Sequence, residues 1–143
     1  MYVTATLLPV FVQVALTFAV LFRLGAVRLK AIRAGGLVRE EVVLGDTGWP
    51  PIVRQASNCF RNQFELPVLF YVLVVLALLT RQTSVLFQVL AWLFVLSRIV
   101  HAIVHTTHND VGWRFGAFAF GALVLLAMWV LFALAILLAP ALP

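Results

Sequence analysis

Charge is what this chain has least of. Only 10% of its 143 residues are Asp, Glu, Lys or Arg, against about 25% in an ordinary soluble domain. With 64% hydrophobic residues, that scarcity excludes a water-soluble globule and points to an integral membrane protein. The length allows one compact domain. Cysteine is nearly missing too. The single Cys59 excludes an intramolecular disulfide and identifies no redox compartment. It reads as a small apolar helix residue. With no thiol pair and only two methionines, a haem or soft-metal site has little support. Acidic side chains are fewer than basic ones, which leaves a net charge of +5. The basic residues flank apolar runs and form no surface stripe, which argues against a nucleic-acid partner. No Ser-His-Asp arrangement, Gly-rich phosphate loop or HExxH motif is present. If there is chemistry, the nucleophile comes in with a ligand.

What is present is apolar sequence in long runs. Residues 3–22 hold no charge and number about 20, enough to cross a hydrocarbon core of ~30 Å. Arg23, Arg28, Lys30 and Arg33 follow this run, the reverse of a secretory signal's basic start. It is expected to remain as a first membrane helix, over 3–34, ended by Gly35-Gly36. Residues 35–50, with Arg39, Glu40, Glu41 and Asp46, read as a polar loop. Pro50-Pro51 suit the first turn of a second helix, over 51–80. A turn at Arg81–Ser84 leads to a third helix over 85–107. A turn at His108–Gly112 leads to a fourth over 114–139, ended by Pro140. The expected fold is an all-α, four-helix integral membrane bundle in one domain, with no internal repeat.

Every Lys and Arg except Arg81 lies in the first and third connections or the helix ends beside them. The positive-inside rule puts those connections in the cytoplasm and both termini outside it. Trp113 reads as an interfacial anchor, and Trp92 and Trp129 as lipid-facing or packing residues. Asp110 reads as a turn or capping residue. Gly116, Ala117, Ala119, Gly121 and Ala122 allow close helix approach.

Charges nonetheless occur inside apolar segments, where each costs about 2.5–3.5 kcal/mol on insertion scales. At ~100° per residue, Arg54, Asn58, Arg61, Asn62 and Glu65 fall within an arc of about 100° on the second helix. Pro67 leaves the Gln63 carbonyl without its usual partner and should bend the helix there. On the third helix Arg98, His101, His105 and His108 lie within about 80°. Arg28 and Arg114 add guanidinium groups at the same depth. One explanation is a self-satisfying network, with Glu65 paired to Arg61 or Arg98 and the asparagines bridging helices. Against it stands the count: Arg28, Arg54, Arg61, Arg98 and Arg114 face the single carboxylate of Glu65. A small ligand with carboxylates would fill that deficit, and Glu65 could take its ammonium. His101 and His105 at i, i+4, with His108 near, also resemble a zinc set. No carboxylate or thiolate shares their face, however, and Arg98 and Arg114 would repel a cation, so no metal is expected.

The stretch Arg61-Asn62-Gln63-Phe64-Glu65-Leu66-Pro67 resembles the second-helix signature of the MAPEG family, the membrane-associated proteins of eicosanoid and glutathione metabolism. Arg98-Ile99-Val100-His101, then His105 and Arg114, resemble that family's third helix and the start of its fourth. Val27-Arg28-Leu29-Lys30 resembles the basic end of its first helix. The resemblance implies a homotrimer with glutathione as cofactor, held near the cytoplasmic face between subunits, and a small lipophilic substrate arriving from the bilayer. It implies that Arg28, Arg61, Asn62, Glu65, Arg98, His101 and His105 bind glutathione and that Arg114 is catalytic, stabilising the thiolate. The implied function is a glutathione-dependent transferase or peroxidase acting on lipophilic electrophiles or hydroperoxides. Asn58 stands where the family's prostaglandin E synthase has a further arginine, and His105 where it has tyrosine. Phe115 and Phe118 replace hydroxyl residues at its thiol end. The carboxylate-binding half is therefore kept better than the thiol-activating half. The alternative is a non-catalytic membrane interaction protein whose polar faces only stabilise an oligomer. A transporter is a third reading, with weaker support.

Overall fold

The computed structural model describes residues 3–35, 37, 39–45 and 47–138, and absences noted below concern those residues. The first helix, α1, spans Val3–Ala34, and its apolar run crosses a membrane by length and composition. It ends at Gly35, whose φ of +75° is a left-handed conformation that glycine adopts at no steric cost. Its N–H donates to the Ile32 carbonyl at 3.2 Å. Gly36, the other half of the expected stop, lies outside the described residues, as do Asp46 and Pro140.

The expected loop is not wholly irregular. Arg39–Leu44 forms a short helix, α2. Trp49 and Leu37 fold back onto a small core of Leu24, Ala31, Val53 and Ala56. Apolar residues inside a polar stretch are what bring the loop down.

The second expected helix, 51–80, is interrupted. It runs as α3, Pro51–Arg61, then a 3₁₀ turn, Asn62–Phe64, then α4, Leu66–Leu79. The cause is Pro67, which has no N–H for the Gln63 carbonyl and instead sits at the start of α4, where a missing donor is harmless. The chain tightens ahead of it, and Glu65 leaves helical geometry at φ −94°, ψ −101°. An expected bend is thus a full break, although α3 and α4 together remain one candidate span.

The third helix, α5, covers Val85–Thr106 and starts at Ser84, whose Oγ accepts from the Phe87 N–H at 3.2 Å. The fourth, α6, covers Val111–Leu137 and starts three residues earlier than expected. The reason is Asp110, whose Oδ1 accepts from the Trp113 N–H at 2.9 Å. That cap places Val111–Trp113 inside the helix. Trp113 stays exposed, as an anchor would.

The four expected spans are present, and the described residues contain no strand. The core between them is apolar: Phe70, Leu73 and Val74 of α4, Phe87, Phe94 and Val95 of α5, Leu125 and Met128 of α6. Phe70 and Phe94 stack with ring centroids 4.8 Å apart. The helices α5 and α6 make the most extensive pairing. Of the small residues on α6, Gly121 is the one at the contact. A Cβ there would run into the Ser97 hydroxyl, whereas a Cβ at Gly116 would meet nothing within 4 Å. Outward-facing residues such as Phe11, Phe22, Leu79, Leu123 and Leu137 are apolar and exposed, as a lipid-facing surface requires.

Candidate functional site

The break in the second span builds the site. Because the turn at Asn62–Phe64 ends α-helical bonding, the Asn62 carbonyl is released from the helix ladder. Arg98 of α5 takes it, donating from Nη2 at 3.0 Å. Arg98 is fully buried, at 0% exposure. Its Cζ lies 5.6 Å from the centre of the Phe118 ring of α6, a cation–π contact that partly replaces lost hydration. Nε and Nη1 of Arg98 have no hydrogen-bond partner among the described residues. A buried guanidinium with two unmet donor nitrogens is costly, and an acceptor for them would remove that cost.

His101 lies one turn beyond Arg98 and is 2% exposed. Its Nδ1 faces the Arg114 carbonyl of α6 at 3.0 Å and its Nε2 the Asn62 amide at 3.2 Å. The same amide reaches Glu65: turned the other way round, its nitrogen donates to Oε2 at 3.1 Å and Oε1 at 3.3 Å. His105 packs edge-on against His101, ring centroids 5.5 Å apart, and is also buried. Its Nδ1 has no partner among the described residues. Arg114 is half-buried, and its Nη1 donates to Asn109 Oδ1 at 2.6 Å. Asn109 has φ +50°, a left-handed conformation that asparagine tolerates better than most residues.

The structure thus gathers Asn62, Arg98, His101, His105 and Arg114, with Glu65 joined through Asn62. It places Arg28 elsewhere on the same end of the bundle, stacked over the Trp49 ring at 5.4 Å. Arg54, Asn58, Arg61 and Glu65 are exposed on the outward side of α3 and the turn. The two polar stripes therefore differ. The one on α5 is buried as far as His105, while His108 is exposed. The one on the second span faces out, and only Asn62 turns its side chain inward. The expected Glu65–Arg98 pair does not form as a direct bond, since Arg98 spends its one bonded nitrogen on the Asn62 carbonyl.

Several residues of consequence had no clear signal in the sequence. Arg23 of α1 donates to the Thr106 carbonyl. Gln55 of α3 donates to the His105 carbonyl at 2.6 Å. Both use carbonyls that the end of α5 leaves without helical partners, and they fasten three helices beside the site. Asn109 positions Arg114, and Phe118 covers Arg98. A polar side chain two residues past a helix end is a weak hint of the first kind. For the aromatic there is none.

No group of three or more His, Cys, Asp or Glu able to hold a metal occurs among the described residues.

A profile of the MAPEG family matches residues 6–134. The chain belongs to the MAPEG family. The match covers all four spans and includes every residue of the buried cluster. Membership includes glutathione-dependent transferases and peroxidases and agrees with an integral, multi-pass membrane protein. No curated protein and no solved structure matches the chain.

Proposed function

We propose that this MAPEG protein is a glutathione-dependent transferase or peroxidase of the membrane, acting on lipophilic electrophiles or hydroperoxides. The observation that carries the proposal is the buried Arg98, whose Nε and Nη1 lack acceptors. Beside it, His105 Nδ1 also lacks a partner, and Arg114 and Asn62 stand in the same cluster. This is a donor-rich, acceptor-poor site, and it fits a ligand with carboxylates. Glutathione has two carboxylates, an ammonium and a thiol. Arg98, Arg61, His105, His101 and Asn62 would hold its polar parts, and Glu65 its ammonium. Arg28, stacked on Trp49, would contribute from a neighbouring subunit of a homotrimer. When bound, glutathione supplies the thiol that becomes the nucleophile.

Arg114 is the residue assigned to the reaction. A cation beside a thiol favours the thiolate. Asn109 holds the guanidinium in one place, so orientation is set before the ligand arrives. Burial of the cluster strengthens that electrostatic effect, because water does not screen it. Both termini lie outside the cytoplasm in this reading, which follows from the distribution of Lys and Arg.

The test is thermal unfolding of the solubilised protein with and without glutathione. Saturation near 100 Kd should add about 2.7 kcal/mol to stability. Arg114→Ala should cut conjugation of a lipophilic electrophile by about 100-fold and leave that thermal gain in place. An unchanged conjugation rate in this variant would remove Arg114 from the chemistry.

A second reading has its own observation. The bonds from Arg98 to Asn62, from His101 to Arg114, and from Gln13 to Gln63 at 3.1 Å all join different helices. A polar network that only locks the bundle would give no thermal response to glutathione, and Glu65→Gln would weaken the oligomer instead.

A further inference from the structure

The hydrogen-bond chain Glu65–Asn62–His101 can be closed in two ways, and both need the same proton. His101 Nδ1 faces the Arg114 carbonyl at 3.0 Å. A carbonyl only accepts, so Nδ1 carries a hydrogen. If the imidazole is neutral, Nε2 is then a bare acceptor, and the Asn62 nitrogen must donate to it across 3.2 Å. Asn62 Oδ1 then faces Glu65, and that contact needs a carboxyl O–H. If Glu65 is ionised, Asn62 turns over. Its nitrogen donates to the carboxylate at 3.1 and 3.3 Å, and its Oδ1 accepts from Nε2 at 3.2 Å. In that case both ring nitrogens carry hydrogen and His101 is an imidazolium. An ionised Glu65 with a neutral His101 leaves a pair of acceptors or a pair of donors facing each other at one end of Asn62. Such a mismatch beside a residue 2% exposed is expensive.

We infer that Glu65 and His101 share one proton through Asn62, and that engaging Glu65 with a cationic group puts that proton on His101. Asn62 is the positioning residue, because the direction of its amide ties the two ionisation states together. The inference deepens the proposed function: the cationic group would be the ammonium of the thiol ligand. The balance is simple. The carboxyl gives up the proton that Nε2 gains, the amide reverses, and the net charge of the chain is unchanged. Glu65 is exposed, so the proton exchanges through water. The consequence is a positive charge raised inside the cluster at the moment the ammonium docks, next to the place where anionic groups bind. Other charged or titratable groups face this chain from each packed element. They are Arg98 and His105 from α5, Arg114 from α6, Cys59 and Arg61 from α3, and Arg23 from α1. None of them bonds to Nδ1 or Nε2 of His101.

The experiment reads the imidazole directly. The full chain with His105→Gln and His108→Gln keeps His101 as its one histidine, and ¹⁵N-histidine NMR in lipid nanodiscs reports which ring nitrogens carry hydrogen. Infrared difference spectra against Glu65→Gln report the carboxylic acid of Glu65. Without ligand at neutral pH, imidazolium and carboxylic acid should be complementary: their fractions sum to one proton. In Glu65→Gln, His101 should be neutral with Nε2 unprotonated. In Asn62→Leu, the two groups should titrate independently. An ionised Glu65 beside a neutral His101 as the main species of the otherwise unsubstituted site overturns the inference, as does an imidazolium that survives in Glu65→Gln.

Adding glutathione should convert the remaining neutral His101 to imidazolium. If glutathione raises the melting temperature of this protein and His101 stays neutral, the inference fails and the proposed function stands. If glutathione causes no thermal shift, the proposed function fails. The ligand-free measurement then decides the inference alone.

Discussion

A single side chain at this site acts through the atom that holds it. Arg114 has its guanidinium fixed by Asn109 Oδ1 at 2.6 Å, and a hydrogen bond to a charged group is worth about 1.5–3 kcal/mol. Asn109→Gly keeps the backbone free to adopt φ +50° and removes only that acceptor. The melting temperature should hold within a few degrees, while conjugation falls about tenfold, the equivalent of ~1.4 kcal/mol in the barrier. Steady-state kinetics at saturating thiol check this. A rate equal to that of the native protein would show that Arg114 needs no holding. Residue identity was legible at this scale: Asn62, Glu65, Arg98, His101, His105 and Arg114 all stood out as charges or amides in apolar sequence. Their pairing was not. Nothing in a sequence tells whether Arg98 will bond a carboxylate or a carbonyl, because that depends on which carbonyls the neighbouring helix leaves free.

At the scale of the element, one proline decides more than any charge. Pro67 breaks the second span and so frees the Asn62 carbonyl for Arg98. Pro67→Ala restores an N–H and allows helix to run through the turn, which draws the carbonyls of Asn62 and Gln63 back into the ladder. Overall stability should stay within about 1 kcal/mol, since a proline at the start of α4 carries little penalty to relieve. Glutathione affinity should drop about tenfold, measured by calorimetry on the solubilised protein. The pairing of α5 with α6 gives a second check. Gly121→Ala presses a methyl group on the Ser97 hydroxyl and should cost about 1–3 kcal/mol. Adding Ser97→Ala should recover most of it, a coupling that a double-mutant cycle reads directly. The sequence indicated an interruption near Pro67 and a small-residue contact on α6. A full helix break and the choice of Gly121 over Gly116 came from packing: a proline's effect depends on what the freed carbonyls find, and a glycine matters only where another helix arrives.

For the whole molecule, the outward face of α3 raises the largest question of energy. Arg54, Asn58, Arg61 and Glu65 are exposed in one chain, and lipid contact at depth would cost about 2.5–3.5 kcal/mol for each charge. A shared axis of three copies would place that face against protein and water. Native mass spectrometry from detergent should therefore give three chains per particle, and Glu65→Gln should shift the population toward single chains. A strictly monomeric particle that still binds glutathione would place the whole site within one chain.

By itself the sequence determined the class of solvent this protein lives in, the number of its spans and the end of the bundle where its cations gather. Those follow from composition and periodicity, which are local and additive: about 20 apolar residues cross a bilayer whatever surrounds them. The tertiary structure alone decided which cations are buried and what they touch. Arg98 lies under Phe118 while Arg61 lies outside, and Asn62 turns between Glu65 and His101, because helix rotation and the break at Pro67 are settled by contacts between segments far apart in the chain. Burial and hydrogen-bond partnership are properties of neighbours, and neighbours exist only once the helices have packed.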